Sequence, residues 1–361
     1  MKNVNNKNLQ QKISDLLIDV FGKNKTAQFF KQAGLPEYYA NLEVRPSDKM
    51  KHKYSRIANA DLKLSKAEYC QILLAAADIF RDSDSFEISK VLYTKSITTA
   101  RVLNDKNCLG KSMLRRGNLY FLMGNITEAK KDYLYCKKYA SLKSLKLTAD
   151  YSSGLLSMKN NNAEDALTRF QRVLSSPDVN LNGSLIGNAL LNTGMALFLL
   201  GRNKDCQSYM NNSVGYLANS GNINQLIVAH YYLGYVYMRQ NNFRYALEEF
   251  DQALKISIKV SDKTLVGLIE LAKAKVSYLS NDYKLSFEYL NKAISDFQST
   301  KQATPLAESL QMKGMIFKSM NRKNISKGYL EASARTSPKK SESYNILIPH
   351  FDTRYLKTFD E

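Results

Sequence analysis

Tryptophan is absent from this chain, proline occurs six times in 361 residues, and no stretch approaches the roughly 18 consecutive apolar residues of a bilayer-spanning helix. Each scarcity removes a class of answers. So few prolines, with 16 glycines, leave room for long uninterrupted helices and speak against a strand-rich fold. The opening MKNVNNKNLQQK is polar with no apolar core behind it, so the expected location is the cytoplasm. The four cysteines, Cys70, Cys108, Cys136 and Cys206, stand 38, 28 and 70 residues apart, which excludes a CxxC pair and predicts reduced, buried thiols.

Catalytic and metal-binding patterns are equally thin. His52, His230 and His350 are far apart, and none has a partner at the helical spacing of a metal site; His230 is expected to be a packed structural side chain. Gly110-Lys111-Ser112 looks like the end of a phosphate-binding loop, but Asp105 stands where that loop needs its first glycine. Glu248 and Glu249 are expected to be ordinary solvated carboxylates. No nucleophile, base and orienting group can be assembled, so the chain is expected to be no enzyme and to hold no cofactor or metal.

What the chain has instead is a repeat. Small residues recur at Ala77, Gly117, Gly154, Gly194, Gly234, Ala274 and Gly314, at intervals of 40, 37, 40, 40, 40 and 40. Twelve residues after each stands a second one: Ser89, Ala129, Ala166, Cys206, Ala246, Ser286 and Ser326. That spacing suits a helix, a short turn and a helix folding back, with small side chains where two backbones come close. Aromatics follow three after the first anchor (Phe80, Tyr120, Tyr237, Phe317) and four after the second (Tyr93, Tyr133, Phe170, Phe250), positions from which rings would fill the gap between one hairpin and the next.

Gly-x2-Tyr followed by Ala-x3-Phe, as in Gly234-Tyr237 with Ala246-Phe250 and Gly117-Tyr120 with Ala129-Tyr133, resembles the tetratricopeptide repeat family. The resemblance covers roughly residues 70–336. It departs from the family in lacking the early Trp, in keeping the Leu before the Gly only as Leu233, and in a 40-residue period that implies longer helices. Long-helix versions, such as those of bacterial peptide-sensing regulators and kinesin light chains, are the more similar. The resemblance implies an all-α, right-handed superhelical solenoid of about seven hairpins over 67–336. A small basic helical module or cap is expected over 1–66, and a tail or capping segment over 337–361, where Pro338 and Pro349 break the rhythm and ILIPHF is apolar.

Within the N-terminal stretch, TAQFFKQAGLPEYYANLE resembles the helix-Gly-turn-helix run of phage-repressor-like DNA-binding domains, with its apolar positions about one residue out of step. The other reading is a cap over the first repeat. The formal charge of +19 is unevenly spread: residues 1–66 hold 13 Lys and Arg against 6 Asp and Glu, and residues 101–150 hold 11 against 4. Such a field attracts nucleic acid, acidic protein segments or an anionic membrane surface. The candidate patch is Lys111, Arg115, Lys130, Lys131, Lys137 and Lys138, which could equally be a solvated outer face.

On the family's geometry the first helix of each repeat lines a groove. Carried over by position, the groove is Asn188, Leu191, Met195 and Phe198, then Val228, Tyr231, Tyr235 and Met238, then Leu268, Leu271, Lys275 and Tyr278. Repeat one contributes Gln71, Leu74, Asp78 and Arg81, and repeat seven Glu308, Gln311, Met315 and Lys318, so the ends look wetter. An apolar strip between polar rims suits a partner's peptide or helix. The alternative is that these side chains pack against neighbouring hairpins or the N-terminal module. Function is therefore expected to be that of a protein-binding adaptor or scaffold. The other reading is a peptide-responsive regulator whose N-terminal module binds DNA or a regulatory protein. Oligomeric state does not follow from the sequence.

Overall fold

A computed structural model describes residues 66–82, 85–176 and 183–337. The expected N-terminal module and C-terminal tail, but for their bordering residues, lie outside the described residues. Among those described there are fourteen α-helices and no strand. They form seven consecutive hairpins: α1 (Lys66–Asp82) with α2 (Phe86–Val102), α3 (Lys106–Leu122) with α4 (Ile126–Tyr139), α5 (Lys143–Lys159) with α6 (Ala163–Leu174), α7 (Gly183–Leu199) with α8 (Asn203–Asn219), α9 (Ile223–Arg239) with α10 (Phe243–Lys259), α11 (Lys263–Leu279) with α12 (Tyr283–Thr300), and α13 (Ala303–Ser319) with α14 (Lys323–Thr336). Every first anchor falls on an odd-numbered helix and every second anchor on the even-numbered helix that follows.

Most of the helices end at left-handed residues, while α4 and α14 run into extended Ala140 and Ser337. Positive φ occurs at Gly201, Gly221, Asn241, Ser261, Asn281, Lys301 and Asn321, a step of 20 residues that halves the 40-residue period. At each such position the chain leaves the helix through a closing pair of backbone bonds. In one turn Asn241 N–H donates to the Met238 carbonyl at 3.1 Å and Asn242 N–H to that of Tyr237 at 2.9 Å. The following helix is started by a side-chain cap where the sequence supplies one: Asp262 accepts from Leu265 N–H at 3.0 Å and Asp282 from Leu285 N–H at 3.0 Å.

The anchors work as notches. A Cβ added to Gly117 would meet the Tyr133 ring at 2.7 Å, one on Gly194 would meet Met210 at 2.9 Å, one on Gly234 the Phe250 ring at 2.5 Å, and one on Gly314 Leu330 at 2.9 Å. The partner is always 16 residues on, so these glycines have equivalent surroundings. This corrects one expectation: the large side chain four after the second anchor fills its own hairpin, because the missing Cβ opens a place there. The rings three after the first anchor do reach the preceding hairpin. Phe317 lies 4.8 Å from Phe287 on α12, and the Tyr237 hydroxyl is within 3.2 Å of Gln207 Nε2 on α8. At two of the serine second anchors the hydroxyl donates to the first anchor's carbonyl, Ser89 to Ala77 at 2.7 Å and Ser286 to Ala274 at 2.9 Å.

The chain divides into two compact units, the first ending at Leu156 and the second beginning at Ser157. The core of the first includes Leu73, Phe80, Leu92, Tyr93, Met113, Leu119 and Tyr133; that of the second includes Leu197, Met210, Tyr232, Val236, Phe250, Ile269, Phe297 and Ile316. Cys136 and Cys206 are free and buried, and burial pushes each thiol up to about 12. Cys70 and Cys108 correct the expectation of four thiols. Their separation of 38 residues, close to one repeat, sets α1 and α3 side by side, and the two sulfurs are joined as a disulfide. No described helix is long and apolar enough to cross a membrane.

Candidate functional site

The expected groove divides sharply when its side chains are placed. Asn188, Leu191, Met195 and Phe198 are buried, as are Tyr231, Leu268 and Leu271, so these seven cannot present a surface. The reasons are local. Phe198 has the Tyr232 ring edge-on at 5.7 Å and the Arg239 guanidinium 3.5 Å above it, and Arg239 also donates to the Phe198 carbonyl at 2.9 Å. Tyr231 is enclosed by Tyr235 and Phe250, with ring centroids 5.0 and 5.8 Å away. Leu268 and Leu271 join Leu290, Phe297, Met312 and Ile316 in one apolar cluster that runs from α11 through α12 to α13. Fourteen of the 17 residues of α7, which carries no charge, are buried.

Val228, Tyr235, Met238, Lys275 and Tyr278 remain half-exposed. Val228, Tyr235 and Met238 share one face of α9, and Lys275 and Tyr278 lie on α11 beside it. Between the two helices is an apolar slot lined by Ile227, Val228, Tyr231, Leu265, Leu268 and Ile269. Beside the slot, Lys275 Nζ is 2.6 Å from Glu308 on α13 and 5.9 Å from the centre of the Tyr235 ring. Burial would lower the ammonium's pKa, but Tyr235 and the Glu308 carboxylate more than offset this and hold it above its ordinary value. Ile227, Leu265 and Ile269 escaped the positional reading, which took one helix face at a time; the slot needs two. On α7, Asn188 Oδ1 is buried without a hydrogen-bond donor, while its carbonyl accepts from Asn192 Nδ2 at 2.8 Å.

The basic patch is also smaller than its lysine count. Arg115 is drawn inward to Asp78, and Lys137 to Asp150, so neither is available to an external anion. Lys131 lies 3.8 Å from Glu128, and Lys111 is half-buried. Lys130, Lys131 and Lys138 stay exposed on α4, interleaved with exposed Leu134, Tyr135 and Tyr139. His230 Nδ1 lies 2.7 Å from Glu249 Oε2, so Glu249 is a structural partner and not a freely solvated carboxylate. Gly110, Lys111 and Ser112 sit inside α3, where a Cβ on Gly110 would meet Ala140 at 2.6 Å, a packing role unrelated to phosphate. No group of three or more His, Cys, Asp or Glu side chains able to hold a metal occurs among the described residues.

Comparison with known proteins places these features. Two family models described as tetratricopeptide repeat match residues 227–259, spanning most of α9 and α10, and residues 110–141, spanning most of α3 and α4. No curated protein sequence matches the chain. Aspartyl phosphate phosphatase F from Bacillus subtilis has a similar fold, with a TM-score of 0.59 at 13% identity over 91% of this chain and 94% of that one. A Rap protein complexed with competence and sporulation factor gives 0.52 at 13%, over 92% and 97%. A STAND signal-transduction ATPase with a tetratricopeptide repeat sensor, from Pyrococcus horikoshii, gives 0.61 at 11%, over 98% and 59%. At such identities the likeness is one of fold. The chain therefore carries tetratricopeptide-repeat hairpins at these two places, and the glycine notches at Gly194 and Gly314, filled by Met210 and Leu330, repeat the same spacing in hairpins outside the matches.

Proposed function

We propose that this protein is a non-enzymatic adaptor that holds a peptide or helix of a partner protein against the faces of α9, α11 and α13. The observation that carries the reading is the apolar slot between α9 and α11, with half-exposed Tyr235 one turn beyond it on α9 and the Lys275–Glu308 pair and half-exposed Tyr278 further along α11. An apolar side chain of the partner would lie across the mouth of the slot next to Tyr235, and the ion pair with Tyr278 further along α11 would fix register. The likeness in fold to a Rap protein held in complex with a factor supports a binding role of this kind.

The test is affinity capture followed by mass spectrometry at low and moderate salt, comparing the wild-type chain with Tyr235→Ser/Tyr278→Ser. Both side chains are half-exposed, so circular dichroism is expected to stay unchanged while a specific partner is lost from the capture. A folded variant that retains every partner would sink the reading. The regulator alternative rests on the same fold likeness, with the module expected over residues 1–66 as the output. Joint substitution of Lys25, Lys31, Lys49 and Lys51 should then weaken duplex binding and flatten its salt dependence. Unchanged duplex binding would remove the DNA-binding version.

A further inference from the structure

Cys70 lies in the second turn of α1 and Cys108 in the first turn of α3, 1% and 7% exposed, with their Cα atoms 7.2 Å apart. We propose that their disulfide is a reversible redox clasp between the first two hairpins, opened and closed by thiol–disulfide exchange, and not a fixed staple. The argument is that the surroundings provide for both states. Cys70 Sγ lies 3.6 Å from the Ser96 carbonyl oxygen and 3.4 Å from its hydroxyl. Cys108 Sγ lies 3.9 Å from the hydroxyls of both Ser96 and Ser112. The two hydroxyls are 2.8 Å apart, and Ser112 donates to the Cys108 carbonyl at 2.7 Å. When the bond opens, the thiol at Cys70 has a carbonyl to donate to and the thiol at Cys108 has hydroxyl neighbours. Reduction therefore strands no buried donor.

The co-reactant is a low-molecular-weight disulfide. One cysteine thiolate attacks it, releasing one small thiol and forming a mixed disulfide; the second cysteine displaces the other small thiol. Two protein thiols and one small disulfide become one protein disulfide and two small thiols, and the reverse reaction opens the clasp. The clasp pins α1 to α3 near their N-terminal ends. Eight residues further along α1, Asp78 engages Arg115 of α3, so the open form keeps an ionic joint while the start of α1 is released.

The full-length protein is equilibrated, folded, in glutathione buffers of graded ratio, approached from both directions. Samples are quenched in acid, alkylated after unfolding and weighed intact. Two labels are expected at the oxidising end, on Cys136 and Cys206, and four at the reducing end, with one midpoint from either direction. Amide exchange over the first turns of α1 should rise several-fold on reduction, and the melting temperature should fall by about 5 °C. The variant Cys70→Ser/Cys108→Ser should show the faster exchange at every ratio. Four labels throughout would overturn the proposal. So would two labels that become four only after denaturation, or an α1 exchange rate indifferent to redox state.

Discussion

The residue just after the first anchor and the ring 16 after that anchor meet in both units, and the two units solve this contact differently. In the first unit they are Asp78 with Tyr93 and Asn118 with Tyr133, and each tyrosine hydroxyl donates to the side-chain oxygen, at 2.9 Å for Tyr133 and Asn118. In the second unit the same positions are Tyr235 with Phe250, rings edge-on at 5.4 Å. The choice between Tyr and Phe follows the polarity of the residue it faces, since a hydroxyl buried against an apolar partner would be unmet. The difference extends outward. Asp78 also takes Arg81 at 3.2 Å and Arg115, and Arg116 forks onto Asp132 with two bonds of 2.8 Å, whereas the second unit packs Tyr231, Tyr235, Phe250, Phe198 and Tyr232 together. One hairpin geometry therefore tolerates a joint of charges or a joint of rings.

Asp78→Ala should break the comparison hardest. It takes from Arg81, 6% exposed, one of its two carboxylates, leaving Asp82 at 3.3 Å, and from the buried Tyr93 hydroxyl its acceptor, and should cost about 3 kcal/mol in a denaturant titration. A loss below about 1 kcal/mol would mean that the charged joint contributes little beyond the rings beneath it. Gly234→Ala tests what the units share. Its methyl would sit 2.5 Å from the Phe250 ring, and overpacking of about 2 kcal/mol should outweigh the gain in helix propensity of about 1 kcal/mol. The same change at Gly117, 2.7 Å from Tyr133, should behave alike. Tyr133→Phe leaves Asn118 Oδ1 without its donor and should cost about 1–2 kcal/mol, most of it recovered in Tyr133→Phe/Asn118→Leu.

Buried carboxylates separate the units by pH. Burial raises the pKa of Glu270 in the second unit, with Lys273 and Lys292 offsetting only part of it, and its Oε2 meets no donor. The folded chain then holds this proton more tightly than the unfolded chain, so the group lowers stability above its folded-state pKa and ceases to do so as pH falls below the unfolded value. Glu270→Gln should raise stability at neutral pH, with the gain fading through the carboxylate range. Asp132 in the first unit is also raised by burial, with Arg116 offsetting only part, so its titration works in the same direction; Asp132→Asn should nevertheless destabilise at neutral pH, because it leaves the Arg116 guanidinium without the carboxylate it forks onto. A stabilising Asp132→Asn would show that the fork does not compensate for desolvation.

Much of the fold was legible because backbone approach at a hairpin leaves no substitute for small residues, and Gly117, Gly194, Gly234 and Gly314 stand at fixed spacing for that reason. The site was less legible. Position on a helix face predicts direction, but whether Phe198 or Tyr231 is covered depends on Arg239 and Phe250, whose reach no periodicity encodes. The Cys70–Cys108 pairing was hidden because the residues lie seven and nine before their anchors, out of register until α1 and α3 are set side by side. Half-exposed Tyr235 and Tyr278 were found by position, while the slot one turn before Tyr235 needed Leu265 and Ile269 from a second helix.

The smallest effect tests what neither unit varies. Left-handed residues close most helices of both, and Gly124, Gly201 and Gly221 adopt that conformation freely, while asparagine tolerates it. Ser261 and Lys301 were not readable as turns from residue type, since neither favours positive φ; only the 20-residue step marks them. Lys301 has φ 57° and is exposed, so its side chain contributes nothing that would offset the conformational cost. Lys301→Gly should therefore stabilise the folded chain by about 0.5–1 kcal/mol, reduced somewhat by the greater freedom of glycine in the unfolded state. If Lys301→Gly is neutral or destabilising while Asn281→Gly is stabilising, the left-handed turn after α12 is held by something other than its own backbone preference.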